Sequence, residues 1–349
     1  AWQARPRTPV VREDDDWAEG RRLARADVAR LVRGLGSRDR ALLALLGEHG
    51  YLTTEDLQAL LFSNLRAAQR RLRKLRPPII RRDRHGTVVR IRNADGLGLV
   101  LRWSRTPAGS WVKLPAAYLL RQKGALVLAA IRDLDAAGTQ RLVQRAYNAA
   151  YFATQLDHDL GVTGFFAALA RESRMLHDQG LDAWMGEAAM RRRYQERGGE
   201  QAPAPDGWGR YLAGGREVTF QLEWDRSTEP PSALTAKARG YGAFYKRLPV
   251  PVGEFNHVLW VADREPRERS IRQAVDAAKP DARHVSHWTT TAEQLLLLGV
   301  LGVVWQPMGE GTRKALPQLP GRPNAGHALE DCLGRRGWWE RRPVTGEGL

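Results

Sequence analysis

The chain has 349 residues, room for about two domains of roughly 150 residues each, and a composition of 43% hydrophobic and 27% charged residues excludes a disordered or fibrous protein. Lys and Arg number 55 against 39 Asp and Glu, a formal charge of +16, so a polyanion is the expected partner. The single cysteine, Cys332, excludes an intrachain disulfide framework and a multi-cysteine zinc site, and it fits a reducing, cytoplasmic setting.

Residues 1–37 read as a basic, partly helical lead-in without an apolar core of signal-peptide length. From Ser37 the pattern sharpens. Leu42, Leu43, Leu45 and Leu46 mark a helix that Gly50 stops, and Thr53 with Asp56 caps a second helix carrying Leu57, Leu60 and Leu61. A third helix follows the caps Ser63 and Asn64, with Leu65, Ala68, Leu72 and Leu75 on one stripe and Arg66, Gln69, Arg70, Arg73 and Lys74 opposite, until Pro77 and Pro78 end it. Ile79 to Arg92 then read as a strand pair turning at His85 and Gly86, so the expectation for residues 38–137 is a winged helix-turn-helix, its wing enlarged by the strand-like pieces that follow position 97. Between Arg66 and Arg92 there are eleven basic residues and one acidic one, Asp83, an excess that repels itself unless a polyanion neutralises it. Double-stranded DNA is therefore the expected partner: Arg66, Gln69, Arg70, Arg71, Arg73 and Lys74 on the helix face the major groove, and Arg81, Arg82, Arg84 and Arg90 line the wing.

After Gly138 the pattern alternates. A helix with Phe165, Phe166, Leu169 and Ala170 comes first, then the strand pair APDGWGRYL and EVTFQLEWD joined at Gly214 and Gly215. The helix Pro231–Arg247, the strand HVLWVAD, the helix Arg267–Lys279, the strand HVSHWTT, the helix Ala292–Leu298 and the strand VVWQPM follow. This order predicts an α/β (α+β) domain with a mixed sheet over residues 138–307 and a Gly/Pro-rich tail over 308–349. The longest apolar run, Leu295 to Trp305, is shorter than the ~20 residues that cross a bilayer, and no membrane partner is expected.

Alternation along Val218–Asp225 puts Val218, Phe220, Leu222 and Trp224 on one face and Thr219, Gln221, Glu223 and Asp225 on the other. Two adjacent carboxylates repel each other, and Asp206 on the neighbouring strand can add a third. Such oxygen ligands suit Mg²⁺ or Mn²⁺, which polarises a phosphodiester and lowers the pKa of a bound water. Lys237 in the following helix reaches back toward the sheet edge, where it can orient that water or stabilise charge on the phosphate. Tyr241 shares its helix face and reads as a packed aromatic ahead of a covalent nucleophile, and His284 and His287 fall on opposite faces of a strand. A second reading stays open: Asp206 as a turn residue, and Glu223 and Asp225 as an exposed face paired with arginines such as Arg226. No GxxxxGK[ST] run supports a P-loop ATPase.

Asp206 in APDG followed by Glu223 in LEWD resembles the PD-(D/E)XK nuclease pattern, whose fold is a helix, a three-strand meander, a crossing helix and a further strand. The resemblance implies catalytic roles for Asp206 and Glu223 as metal ligands and for Glu187, in WMGEAAMRRRY, as the acid ahead of the motif. The family's lysine position holds Asp225, and members that move the lysine into the next helix are similar to this chain in a way that points to Lys237. More narrowly, RDRALLALLGEHGYLTTEDLQALLFSNLRAAQRRLRKL, YLLRQKGALVLAA and PDGWGRY…FQLEWDRSTEP…KARGY resemble, over residues 38–307, the replication-relaxation family of actinobacterial mobile elements. That resemblance implies a DNA-binding protein of a plasmid or integrative element, acting in replication or in processing DNA for transfer alongside other proteins of the element. Both a Mg²⁺- or Mn²⁺-dependent nickase or endonuclease and a non-catalytic initiator or regulator with a decayed nuclease fold fit it.

Overall fold

The computed structural model describes residues 23–82, 88–105, 114–151, 155–198, 203–247, 256–279, 285–309 and 311–341. The chain divides into two compact units, one running to Thr163 and taking in Trp339, the other running from Gly164 to Trp338. The division falls 25 residues or so beyond Gly138, which lies in the first turn of a helix, its N–H donating to Asp135 Oδ1.

In the first unit, α1 (Arg25–Gly34) precedes α2 (Ser37–His49), whose Leu42, Leu43, Leu45 and Leu46 are all buried together with Ala41 and Ala44, so this helix is enclosed on every side. After β1 (Leu52–Thr53), α3 (Thr54–Leu61) begins with a full capping box: Asp56 N–H donates to Thr53 Oγ1 at 3.1 Å and Thr53 N–H to Asp56 Oδ2 at 2.8 Å. Asn64 caps α4 (Leu65–Leu75) by accepting from Ala67 N–H at 2.9 Å, and the Ala68, Leu72 and Leu75 stripe is buried. β2 (Ile79–Arg82) and β3 (Val88–Arg92) then form an antiparallel hairpin with Arg81 opposite Arg90. The later strands do not enlarge it. β4 (Val100–Arg105) and β5 (Leu114–Leu120) form a separate sheet of order β1-β5-β4, in which Leu52 faces Tyr118 and Trp103 faces Ala117. α5 (Gln122–Ile131) and α6 (Ala136–Tyr151) close this unit, and α7 (Leu156–Ser173) runs across the division.

The second unit is a mixed α/β layer. Its strands are β6 (Gln179–Gly186), β7 (Gly207–Ala213), β8 (Arg216–Asp225), β9 (His257–Ala262), β10 (Ser286–Thr291), β11 (Gln306–Pro307) and β12 (Arg322–Pro323). They lie in the order β11-β10-β9-β8-β7-β6, with β12 against the start of β8. β6, β7 and β8 make an antiparallel meander, and β9 and β10 run parallel to β8, as crossover helices require. Those helices are α9 (Pro231–Arg247) and α10 (Glu265–Ala278), while α8 (Glu187–Gly198) follows β6 and α11 (Ala292–Leu298) follows β10.

One face of the sheet packs on α7. Phe166 stacks on Trp184 and on Phe220, with ring centroids 4.8 and 5.9 Å away, and the predicted core side of β8 is buried at Val218, Phe220 and Leu222. The opposite face buries Met190, Leu234, Tyr241, Phe244, Trp260 and Ile271. The chain beyond Pro307 docks as a strap: Arg322 pairs with Glu217 of β8, and Cys332 is buried against Gly180. Among the described residues no helix is long and apolar enough to cross a membrane.

Candidate active site and nucleic-acid face

Strand register assembles the acidic end of the second unit. Gly186 of β6 lies opposite Gly207 of β7, which lies opposite Leu222 of β8, so one residue beyond that row stand Asp206, just before β7, Glu223 of β8, and Glu187, the first residue of α8. The Asp206 carboxylate is fixed by the backbone of β8, accepting from Trp224 N–H at 2.7 Å.

Glu223 is buried and has two partners from α9, one helical turn apart. Lys237 Nζ stands 2.6 Å from Oε2, and the Tyr241 hydroxyl donates to Oε1. Burial pushes the Glu223 carboxyl up to about 7; Lys237 and the Tyr241 bond pull against that, and the Asp206 charge adds to it. Burial alone would lower the Lys237 ammonium, but Glu223 and Asp206 outweigh it and raise its pKa, which keeps Lys237 charged at neutral pH. Glu229 lies 3.9 Å from the same ammonium. Behind the triad, the Tyr241 ring meets His287 edge-on, and His287 Nδ1 accepts from Trp260 Nε1 at 3.1 Å.

The other predicted acids go elsewhere. Asp225, on the same face of β8 as Glu223, is held by the Arg267 guanidinium through Nε at 2.9 Å and Nη2 at 2.6 Å, and it also accepts from Ser227 N–H. Glu187 pairs with Arg191 one turn along its own helix. Of the two readings the sequence leaves open, an arginine does take Asp225, but it is Arg267 of α10, 42 residues further on, in place of the adjacent Arg226, and the face is buried instead of exposed; nothing in the local pattern marks Arg267. The Tyr241 bond, by contrast, follows from its spacing of four from Lys237. Among the described residues no group of three or more His, Cys, Asp or Glu side chains is placed to hold a metal ion. Two carboxylates, Asp206 and Glu223, remain close enough for the charge of one to raise the pKa of the other, and that repulsion is what a hard divalent cation relieves.

On the first unit, Arg66, Gln69, Arg70, Arg73 and Lys74 are exposed along α4. Arg71 is the exception, because its Nε and Nη2 bind both oxygens of Asp39, a buried carboxylate on α2. Arg81, Arg82 and Arg90 fall in β2 and β3, and Arg84 and the turn at His85 and Gly86 lie outside the described residues. His284 lies outside them too, and His287 is buried.

No curated protein and no solved structure matches the chain. The model of the replication-relaxation family does, over residues 43–249, which take in Leu43, Leu45 and Leu46 of α2, the basic face of α4, and Asp206, Glu223 and Lys237. Since the match spans more than half of the sequence, the chain belongs to the replication-relaxation family.

Proposed function

We propose that this protein binds double-stranded DNA of a plasmid or integrative element through a winged helix in its first unit, and cuts or nicks DNA at Asp206, Glu223 and Lys237 in its second. The observation that carries the reading is the 2.6 Å approach of Lys237 Nζ to Glu223 Oε2 at the sheet end that Asp206 shares. A lysine supplied from the crossing helix keeps the carboxylate–ammonium pair of a PD-(D/E)XK site although Asp225 occupies the usual lysine position. The order α7, meander, α9, β9 supports the same reading.

Asp206 and Glu223 would hold Mg²⁺ or Mn²⁺, which supplies a Lewis acid and a nucleophilic water at neutral pH. The rest belongs to the chain. Tyr241 fixes the rotamer of Glu223 through Oε1. Lys237, kept protonated by its neighbours, acts as a charge donor to a phosphate oxygen and has no lone pair to serve as a base. On α4, Arg66, Arg70, Arg73 and Lys74 neutralise phosphates and Gln69 reaches base edges, so affinity falls steeply with salt.

Supercoiled plasmid incubated with the full chain and Mg²⁺ or Mn²⁺ should be relaxed or linearised, and Asp206→Ala and Lys237→Met should each reduce the rate by at least ~100-fold. Cleavage that persists in both variants would place the chemistry elsewhere. One observation favours a second reading, a non-catalytic initiator or regulator: the Arg267 clamp on Asp225 leaves the site with two carboxylates. Tight plasmid binding by the wild type without strand scission under either ion would establish that alternative.

A further inference from the structure

Nine large apolar side chains are exposed among the described residues, and four of them crowd into one short stretch of the second unit: Leu296, Leu297, Leu298 and Val303, at 86%, 72%, 61% and 55% exposure. The sequence there runs LLLLGVLGVV, and the fold uses only part of it. Leu295, Val300 and Val304 point inward and are buried, so α11 needs one leucine for its core contact and turns the next three outward.

The stretch is held rigidly. α11 ends at Gly299, whose positive φ of 79° turns the chain, and Leu301 N–H donates to Glu172 Oε2 of α7 at 3.1 Å. A Cβ on Gly299 would stand 2.7 Å from that carboxylate, so the loop is clamped against α7. Directly after α7, Met175 is 81% exposed, and Leu176 is exposed as well.

We infer that this face docks a second copy of the chain. Area and charge both point to that occupant. Side chains at these exposures leave on the order of 500 Å² of apolar surface open, the upper end of what monomers tolerate, at about 300–600 Å². It is also most of the roughly 800 Å² that each partner contributes to a standard interface. The chain carries +16 overall, yet the charged residues nearest this stretch along the chain and at the end of α7, Arg171, Glu172, Arg174, Asp178 and Glu293, sum to only −1. Two copies therefore meet here without the repulsion they would feel across α4. A rigid apolar patch also loses little side-chain entropy on docking, and a twofold contact needs only one self-complementary surface.

Sedimentation of the full chain from low to high micromolar concentration should show a monomer–dimer equilibrium. Leu296→Glu with Leu297→Glu should weaken it by at least ~100-fold, a change of more than 2.7 kcal/mol in association. Because these side chains are exposed, the circular dichroism melt of the double variant should match the wild type. Independently, Leu297→Cys should be joined into a dimer by a short bis-maleimide, whereas Ser63→Cys, on the first unit, should not. A wild type that stays monomeric throughout, a dimer untouched by the double substitution, or equal crosslinking of both cysteine variants would overturn the inference.

Discussion

Arg70, Arg71 and Arg73 stand side by side in the sequence, yet the helix sends them to different tasks. A step of 100° per residue turns Arg71 toward α2, where its side chain, 28% exposed, meets the Asp39 carboxylate at 7%. Arg70 and Arg73 remain on the open face. Replacing Arg71 by Ala strands a buried carboxylate and should cost about 2–4 kcal/mol in denaturant unfolding, below the full range for wholly buried pairs because Arg71 is partly wet. Arg70→Ala with Arg73→Ala should instead leave the melt unchanged and weaken binding to a duplex by at least ~10-fold at moderate salt, read by fluorescence anisotropy. The same selectivity operates in the second unit, where Glu223 takes Lys237 and Asp225, two residues on, takes Arg267.

Among elements, the β7–β8 hairpin positions the candidate site. Gly214 and Gly215, with φ of 54° and 75°, form the two-residue turn that suits the twist of paired strands, and this fixes Ala213 opposite Arg216 and carries the register to Gly207 opposite Leu222. Gly209 in β7 leaves a flat floor for aromatic rings: a Cβ there would fall 2.4 Å from Phe220 Cζ and 2.9 Å from Phe166 Cε1. Gly209→Ala should therefore destabilise the second unit by about 1–3 kcal/mol, with the loss seen in thermal unfolding and in near-ultraviolet dichroism of the aromatic cluster. The alternation of β8 was legible because one side is aromatic and aliphatic and the other polar. β6 was not, since six of its eight residues are buried, on both sides of the strand, so that LDAWMG carries no alternation.

At the scale of the molecule, buried imidazoles set the response to acid. In the second unit burial holds His257 down at about 4 and His287 at about 3, against an ordinary 6.5. Unfolding lets both take up protons below pH 6.5, so their contribution is complete above that value and is lost as pH falls toward 4. Glu223 has the opposite sign. Its folded value of about 7 against 4.5 means that the native state gains a proton first, which stabilises as pH falls through the same window. With His49 of the first unit also held well below 6.5 by burial, three imidazoles outweigh one glutamate, so stability should fall as pH drops from 6.5 toward 4.5. Calorimetric melts across that window test it: a flat or rising trend would mean that the imidazoles are hydrated.

The sequence alone determined what depends on neighbours along the chain: the Thr53–Asp56 and Asn64 caps, the buried stripe and basic face of α4, the Gly214–Gly215 turn, and the shared face of Glu223 and Asp225. These rest on the 3.6- and 2-residue periods and on local hydrogen bonding. Only the tertiary structure decided which carboxylate receives the lysine, which basic residue of α4 turns inward to Asp39, and that β5 pairs with β1 instead of extending the hairpin. Each of those choices joins segments tens of residues apart, and their juxtaposition is set by how the helices pack on the sheets, a property that no short stretch of the chain encodes.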